Sequence, residues 1–267
     1  MKRIVVVLLA IVCSCNLLSA TSIDYKKEYK ELMFLHIRSG YAWLGHADIS
    51  NATVANQWDL ANEGYNASLS NAGFWDFAIG FYPLSFLDVD VSYGTYETMH
   101  YEKYQTGTSS TTAFTGGNRM RYFDVDHKNI MLNATLHPRK GEFSIDTSCV
   151  SISPFVGGGF GLGINRINNF HTVAYSTDGK TGSTTSIGFR NTNKSCAWQL
   201  NAGLTFSACN HKVAFDLGYR YHNGGTFKTG DKFMANVNDF KGAFCPATGW
   251  KGKIRAHEAV VAFRFNF

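Results

Sequence analysis

After its first twenty residues the sequence contains no apolar run long enough to form a membrane-spanning helix, which needs about 20 such residues. If the mature chain enters a membrane, it does so as strands. Strong charge is missing too. The formal net charge of +5 includes Lys2 and Arg3 near the N-terminus, and what remains is too mild to point to nucleic acid. Cofactor and metal motifs are also absent. No CxxC pair follows residue 20, and "HEAVV" from His257 lacks the second histidine of a zinc site. "GGGFGLG" from Gly157 does not have the GxGxxG spacing of a dinucleotide loop and lies inside a strand pattern. No cofactor is expected.

What is present begins with "MKRIVVVLLAIVCSCNLLSA". Two basic residues, an apolar run from Ile4 to Val12 and the small pair Ser19 and Ala20 have the layout of a secretory signal peptide. Residues 1–20 are therefore expected to be removed on export. The polar stretch 21–32 reads as a short periplasmic segment, and 33–267 as one domain.

That domain is written in alternation. In "MFLHIRSGYAWLG", Leu35, Ile37, Tyr41 and Trp43 share one face, while His36, Arg38, Gly40 and Ala42 share the other. A period of two is the signature of a half-buried strand. Similar alternation recurs in "FWDFAIGFY", "LDVDVSYGTY", "RYFDVDHKNIMLNATLH", "ISPFVGGGFGLGINRI", "AWQLNAGLTF", "KVAFDLGYRYH" and the terminal "AVVAFRFNF". The fourth changes phase: Phe123 and Val125 are odd-numbered, but Ile130, Leu132, Ala134 and Leu136 are even. A β-bulge at His127 to Asn129 would produce that slip.

Eight strands joined by connections that are alternately long and short predict an all-β fold, an eight-stranded antiparallel transmembrane β-barrel with long outer loops and short periplasmic turns. The long connections fall at 46–73, 97–120, 166–194 and 223–252, the short ones at 83–86, 137–151 and 207–211. Trp43, Trp75, Tyr82, Tyr93, Trp198, Tyr219 and Tyr221 lie near strand ends, where interfacial aromatic belts form. A soluble eight-stranded barrel would turn its apolar rows inward. The opposing rows here are rich in Gly, Asn, Gln, Ser and Thr, which suits a packed polar lumen better than a wetted exterior.

"ISPFVGGGFGLGINRI", "WQLNAGLTF", "FDLGYRYHNGG" and "VAFRFNF", in that order, resemble the last four strands of the opacity-type outer-membrane β-barrels of Gram-negative bacteria, similar in architecture to the OmpA transmembrane domain. The resemblance implies residence in the outer membrane, contact with its lipid, and recognition by the barrel-assembly machinery through the terminal row Val261, Phe263, Phe265 and Phe267.

Four cysteines follow the signal segment, an even number that favours disulfides in an exported chain. In the barrel topology Cys149 and Cys209 fall on the periplasmic side, and Cys196 and Cys245 on the outer side. Cα atoms must lie within about 7 Å to be bridged, so the expected pairs are Cys149–Cys209 and Cys196–Cys245, with a cross-link between molecules through the outer two as the rival. Inward-facing charges are expected at Arg38, Asp76, Asp88, Asp90, Asp216, Arg220, Glu258 and Arg264. In a narrow lumen they must pair, because an isolated buried ion is too costly.

The expected function is that of a monomeric outer-membrane surface protein acting through its long loops, with a host-cell or matrix ligand as partner and no catalytic role. The alternatives are a narrow porin and a barrel-embedded hydrolase built on Asp88, Asp90, Asp124, Asp126 and His127. The last is disfavoured because the two acidic groups should sit near opposite ends of the barrel.

Overall fold

In the computed structural model the described residues are 33–51, 68–105, 119–137, 145–146, 150–175, 182–208, 212–230, 232–235, 244–246 and 250–267. The signal and periplasmic segments assigned to 1–32, and Cys149 and Cys209, lie outside them. All the regular structure described is strand: β1 (Met33–Leu44), β2 (Ser50–Asn51), β3 (Ala72–Leu84), β4 (Leu87–Tyr96), β5 (Met99–Gln105), β6 (Arg119–Leu136), β7 (Ile145–Asp146), β8 (Val150–Tyr175), β9 (Gly182–Gly188), β10 (Asn191–Ala208), β11 (Val213–Lys228), β12 (Lys232–Ala235), β13 (Phe244–Pro246) and β14 (Trp250–Asn266).

Eight of these close a ring in the order β1, β3, β4, β6, β8, β10, β11, β14, every neighbouring pair antiparallel. The two ends of the domain make the closure. Phe34 pairs with Asn266, and Met33 and Phe267 exchange backbone hydrogen bonds of 3.1 and 2.9 Å. Closure leaves no unpaired strand edge in the membrane zone, which lipid would not tolerate.

The wall has a greasy outside and a polar inside. Ile37, Phe77, Ile79, Phe160, Leu200, Leu217 and Phe263 are exposed, whereas Arg38, Asp76, Asp90, Asn133, Gln199 and Glu258 are buried. A soluble protein rarely exposes a contiguous apolar patch larger than a few hundred Å², and here the patch encircles the molecule. This is a membrane-spanning barrel. Tyr41, Trp43, Trp75, Tyr93, Trp198 and Tyr219 are exposed toward the outer end of that belt.

Above the belt the strands continue. β8 alone runs for 26 residues, and β5, β9, β12 and β13 extend the sheet through stretches expected to be loop. There the polarity reverses. Met99, Tyr101, Phe123, Val125, Ile167, Phe170, Phe227 and Ile254 pack inside as an apolar core, while Asp124, Asp126 and Arg166 lie on the outer wall. The expected bulge at His127 to Asn129 is not formed. Pairing of β6 with β8 runs unbroken through these residues, and the odd-numbered residues of β6 from Arg121 to Thr135 point inward. What changes is the surroundings: low in the strand lipid lies outside and a polar lumen inside, and higher up water lies outside and apolar side chains inside. The irregularity in the β6–β8 pair falls instead between Tyr122 and Asp124, beside Asn169 with φ of 53°.

Candidate functional site: the lumen and its cap

The lumen is filled in tiers. At the periplasmic end Arg264 donates to Asp88 (2.7 Å) and to Asp216 (3.0 Å). His137 lies 2.8 Å from the same Asp88 oxygen and His36 3.0 Å from Asp216. Phe34, fully buried, stacks beneath the Arg264 guanidinium at 5.1 Å.

The middle tier is centred on two arginines. Arg38 donates to Asp76 (2.6 Å) and Asp90 (3.0 Å), and Arg220 donates to the other Asp76 oxygen (2.8 Å) and to Glu258. Tyr96 donates to the second Glu258 oxygen at 2.6 Å. Asn133 donates to Asp90 and to Ser92, and Gln199 to Asn133. The glycine row of β8 makes room for this: a Cβ at Gly159 would collide with the Asn133 amide. Arg220 also lies 4.4 Å from the ring of Phe74, where charge gives way to the apolar core.

Between the charged tiers and that core sit two histidines. His127 Nε2 and His222 Nε2 are 2.9 Å apart, both fully buried, with Tyr96 against both rings. Gly224 provides their space, since a Cβ there would lie 2.7 Å from His127 Cε1.

All eight charges read from the sequence as inward-facing are buried in this network, contributed by β1, β3, β4, β11 and β14. Sequence reasoning missed the neutral partners. His36 and His222 stand in inward rows, but without a formal charge they gave no signal of a role. Along the chain His127 stands beside Asp124 and Asp126, but these lie on the opposite face of the wall. Asp124 meets His100 at 2.6 Å and Asp126 meets Thr98 and Asn168, while Asp88 and Asp90 are engaged by arginines in the lumen. The hydrolase constellation is therefore not assembled. The bridge from Cys196 to Cys245 is also not formed: Cys196 is a free, exposed thiol on the outward face of β10. β13, which carries Cys245, pairs instead with β12.

Among the described residues a small cavity reaches the lower lumen, lined by His36, Arg38, Asn201, Asp216, Arg220 and Arg264 among others. It does not extend through the His127–His222 pair or the apolar tier above.

No protein-family model matches the chain, and no curated protein does. Among solved structures it is similar to Neisserial surface protein A (14% identity over 88% of this chain and 97% of that one, TM-score 0.39). It is also similar to the outer membrane protein OprG of Pseudomonas aeruginosa (10% identity, 89% and 98%, TM-score 0.47). A third is Ail, the attachment invasion locus protein of Yersinia pestis (13% identity, 88% and 99%, TM-score 0.31).

Proposed function

We propose that this chain is an integral outer-membrane surface protein, a closed and rigid barrel that carries its outer loops to an external partner such as a host cell or its matrix. The observation that supports this reading is the filled interior. Three arginines and five carboxylates are locked together across the lumen, and an apolar core caps them on the outer side. Such an interior stiffens the barrel and leaves recognition to what it displays, as is usual for loops on a rigid scaffold. The exposed terminal row Val261, Phe263, Phe265 and Phe267 is the proposed handle for the barrel-assembly machinery.

A narrow porin would require both the charged tiers and the apolar tier to open together. Single-channel recording of the purified barrel in planar bilayers tests the choice. The surface-protein reading expects no discrete conductance steps, and steady unitary currents would favour the channel. Replacing the outer connection 106–118 with a short glycine-serine linker tests the adhesive role: cell binding should fall while the barrel remains folded, and unchanged binding would remove that connection from the role.

A further inference from the structure

Among the described residues the lumen holds more carboxylates than arginines. In the periplasmic tier Arg264 alone answers both Asp88 and Asp216. In the middle tier Arg38 and Arg220 answer Asp76, Asp90 and Glu258. The hydrogen bonds show that these carboxylates are ionised. Both oxygens of Asp76 accept from arginines, and those of Glu258 accept from Tyr96 and Arg220. One oxygen of Asp90 accepts from Arg38 and Asn133, while Arg264 donates to one oxygen each of Asp88 and Asp216. Each tier is therefore one positive charge short. Arg121, also buried, rests on Trp250 in the outer extension and is no part of either tier.

The shortfall coincides with an open acceptor. Asp216 is 4% exposed and its Oδ1 makes no aligned hydrogen bond. Nor does Thr205 Oγ1, equally buried and directly across the β10–β11 ladder. A buried charged oxygen left bare is costly. Neither nearby histidine covers it: His36 Nε2 stands 3.0 Å from the other oxygen, Oδ2, and out of line for a hydrogen bond, and His137 is on Asp88. Asp216 lines the cavity between the two tiers, with Asn201 and Thr135 among its neighbours there. That cavity offers about 30 Å³ to the centres of water-sized atoms, and one water needs about 10–15 Å³. It has room for a small ion and a water, and Arg264 Nε, which has no acceptor, is a donor for that water. Carboxylate, hydroxyl and amide oxygens are hard ligands and suit a hard cation, not a soft transition metal. With one carboxylate to offer, already shared with Arg264, the cavity suits a single positive charge better than a double one.

We infer that the lower lumen binds one monovalent cation of the size of sodium, with Asp216 Oδ1 and Thr205 Oγ1 as its protein ligands and water among the rest. The ion supplies charge that the arginines do not, and it ties β10 to β11 below the apolar cap. The inference rests on the closed barrel and not on the choice between surface protein and channel.

The test is urea unfolding of the mature chain in dodecyl maltoside micelles at fixed ionic strength, with sodium chloride exchanged for N-methylglucamine chloride. Once the site is filled, each tenfold rise in sodium should raise the folding constant about tenfold. Asp216→Asn should abolish this response and Thr205→Val should move it to higher sodium, while Thr205→Ser should preserve it. Asp124→Asn, a carboxylate on the outer wall, should leave it intact. A folding constant indifferent to sodium would overturn the site, and if it followed pH instead, the missing charge would belong to protons on His36 and His137. An unchanged sodium response in both Asp216→Asn and Thr205→Val would also overturn it. Crystals of the wild-type barrel soaked in thallium(I) acetate give a readout independent of variant folding: an anomalous peak beside Asp216 Oδ1 is expected, and its absence would contradict the site.

Discussion

His127 Nε2 lies 2.9 Å from His222 Nε2, and the proton between them can be assigned. Asn165 donates its amide to the carbonyls of Gly224 and Thr226, which leaves its oxygen facing His127 Nδ1 at 2.6 Å as an acceptor. His127 Nδ1 therefore donates, its Nε2 accepts, and His222 Nε2 supplies the hydrogen. Both rings are neutral in this arrangement, and the pair ties β6 to β11 across the lumen.

Replacing His222 with Phe removes the donor and strands a buried acceptor on His127. The expected cost is about 1–3 kcal/mol, read as a lower unfolding midpoint in detergent. Gly224→Ala should cost at least as much, because the added Cβ meets the His127 ring. A wild-type midpoint in both variants would show that the pair does not brace the barrel.

Asp76 accepts from both Arg38 and Arg220. Asp76→Ala leaves two buried guanidiniums short of a partner and should destabilise by about 3–5 kcal/mol. Adding Arg220→Met should cost less than the sum of the two single changes, since the second removes part of the charge that the first exposed. A double-mutant cycle by urea unfolding in vesicles measures the coupling, and additivity within error would contradict the network.

Phe77 projects outward opposite Ile37 and Tyr93, in the middle of the greasy belt. Phe77→Arg should lower the folding free energy into vesicles by about 2–4 kcal/mol. On a water-exposed wall the same change would be close to neutral, so the sign and size of the effect report the solvent at that position.

Cys196 is free and outward-facing just beyond Trp198. It should react with a membrane-impermeant maleimide on intact cells without prior reduction. Labelling that appears only after reductant would restore a disulfide at this position.

Much of the barrel was legible because lipid and a narrow lumen impose opposite demands on alternate residues. Leu35, Ile37, Tyr41 and Trp43 against His36, Arg38, Gly40 and Ala42 needed no further information. The outer extension was not, for the same reason. Once Phe123 and Val125 rise above the membrane, apolar side chains belong inside, so a continuous strand changes the parity of its apolar residues and imitates a bulge. The charged members of the lumen network announced themselves as ions with nowhere to go. Tyr96, Asn165, His127 and His222 did not, because their roles depend on which strands lie opposite, and that register is a property of the closed ring.

The wall of the barrel faces lipid, and its behaviour in the cell envelope tests this directly. Cells expressing the full chain would be fractionated, and the outer-membrane fraction run on SDS gels without and with boiling. A closed barrel resident in that membrane predicts a compact, faster band that slows on boiling. A protein recovered in the soluble periplasmic fraction, with the same mobility before and after heating, would show that the wall faces water.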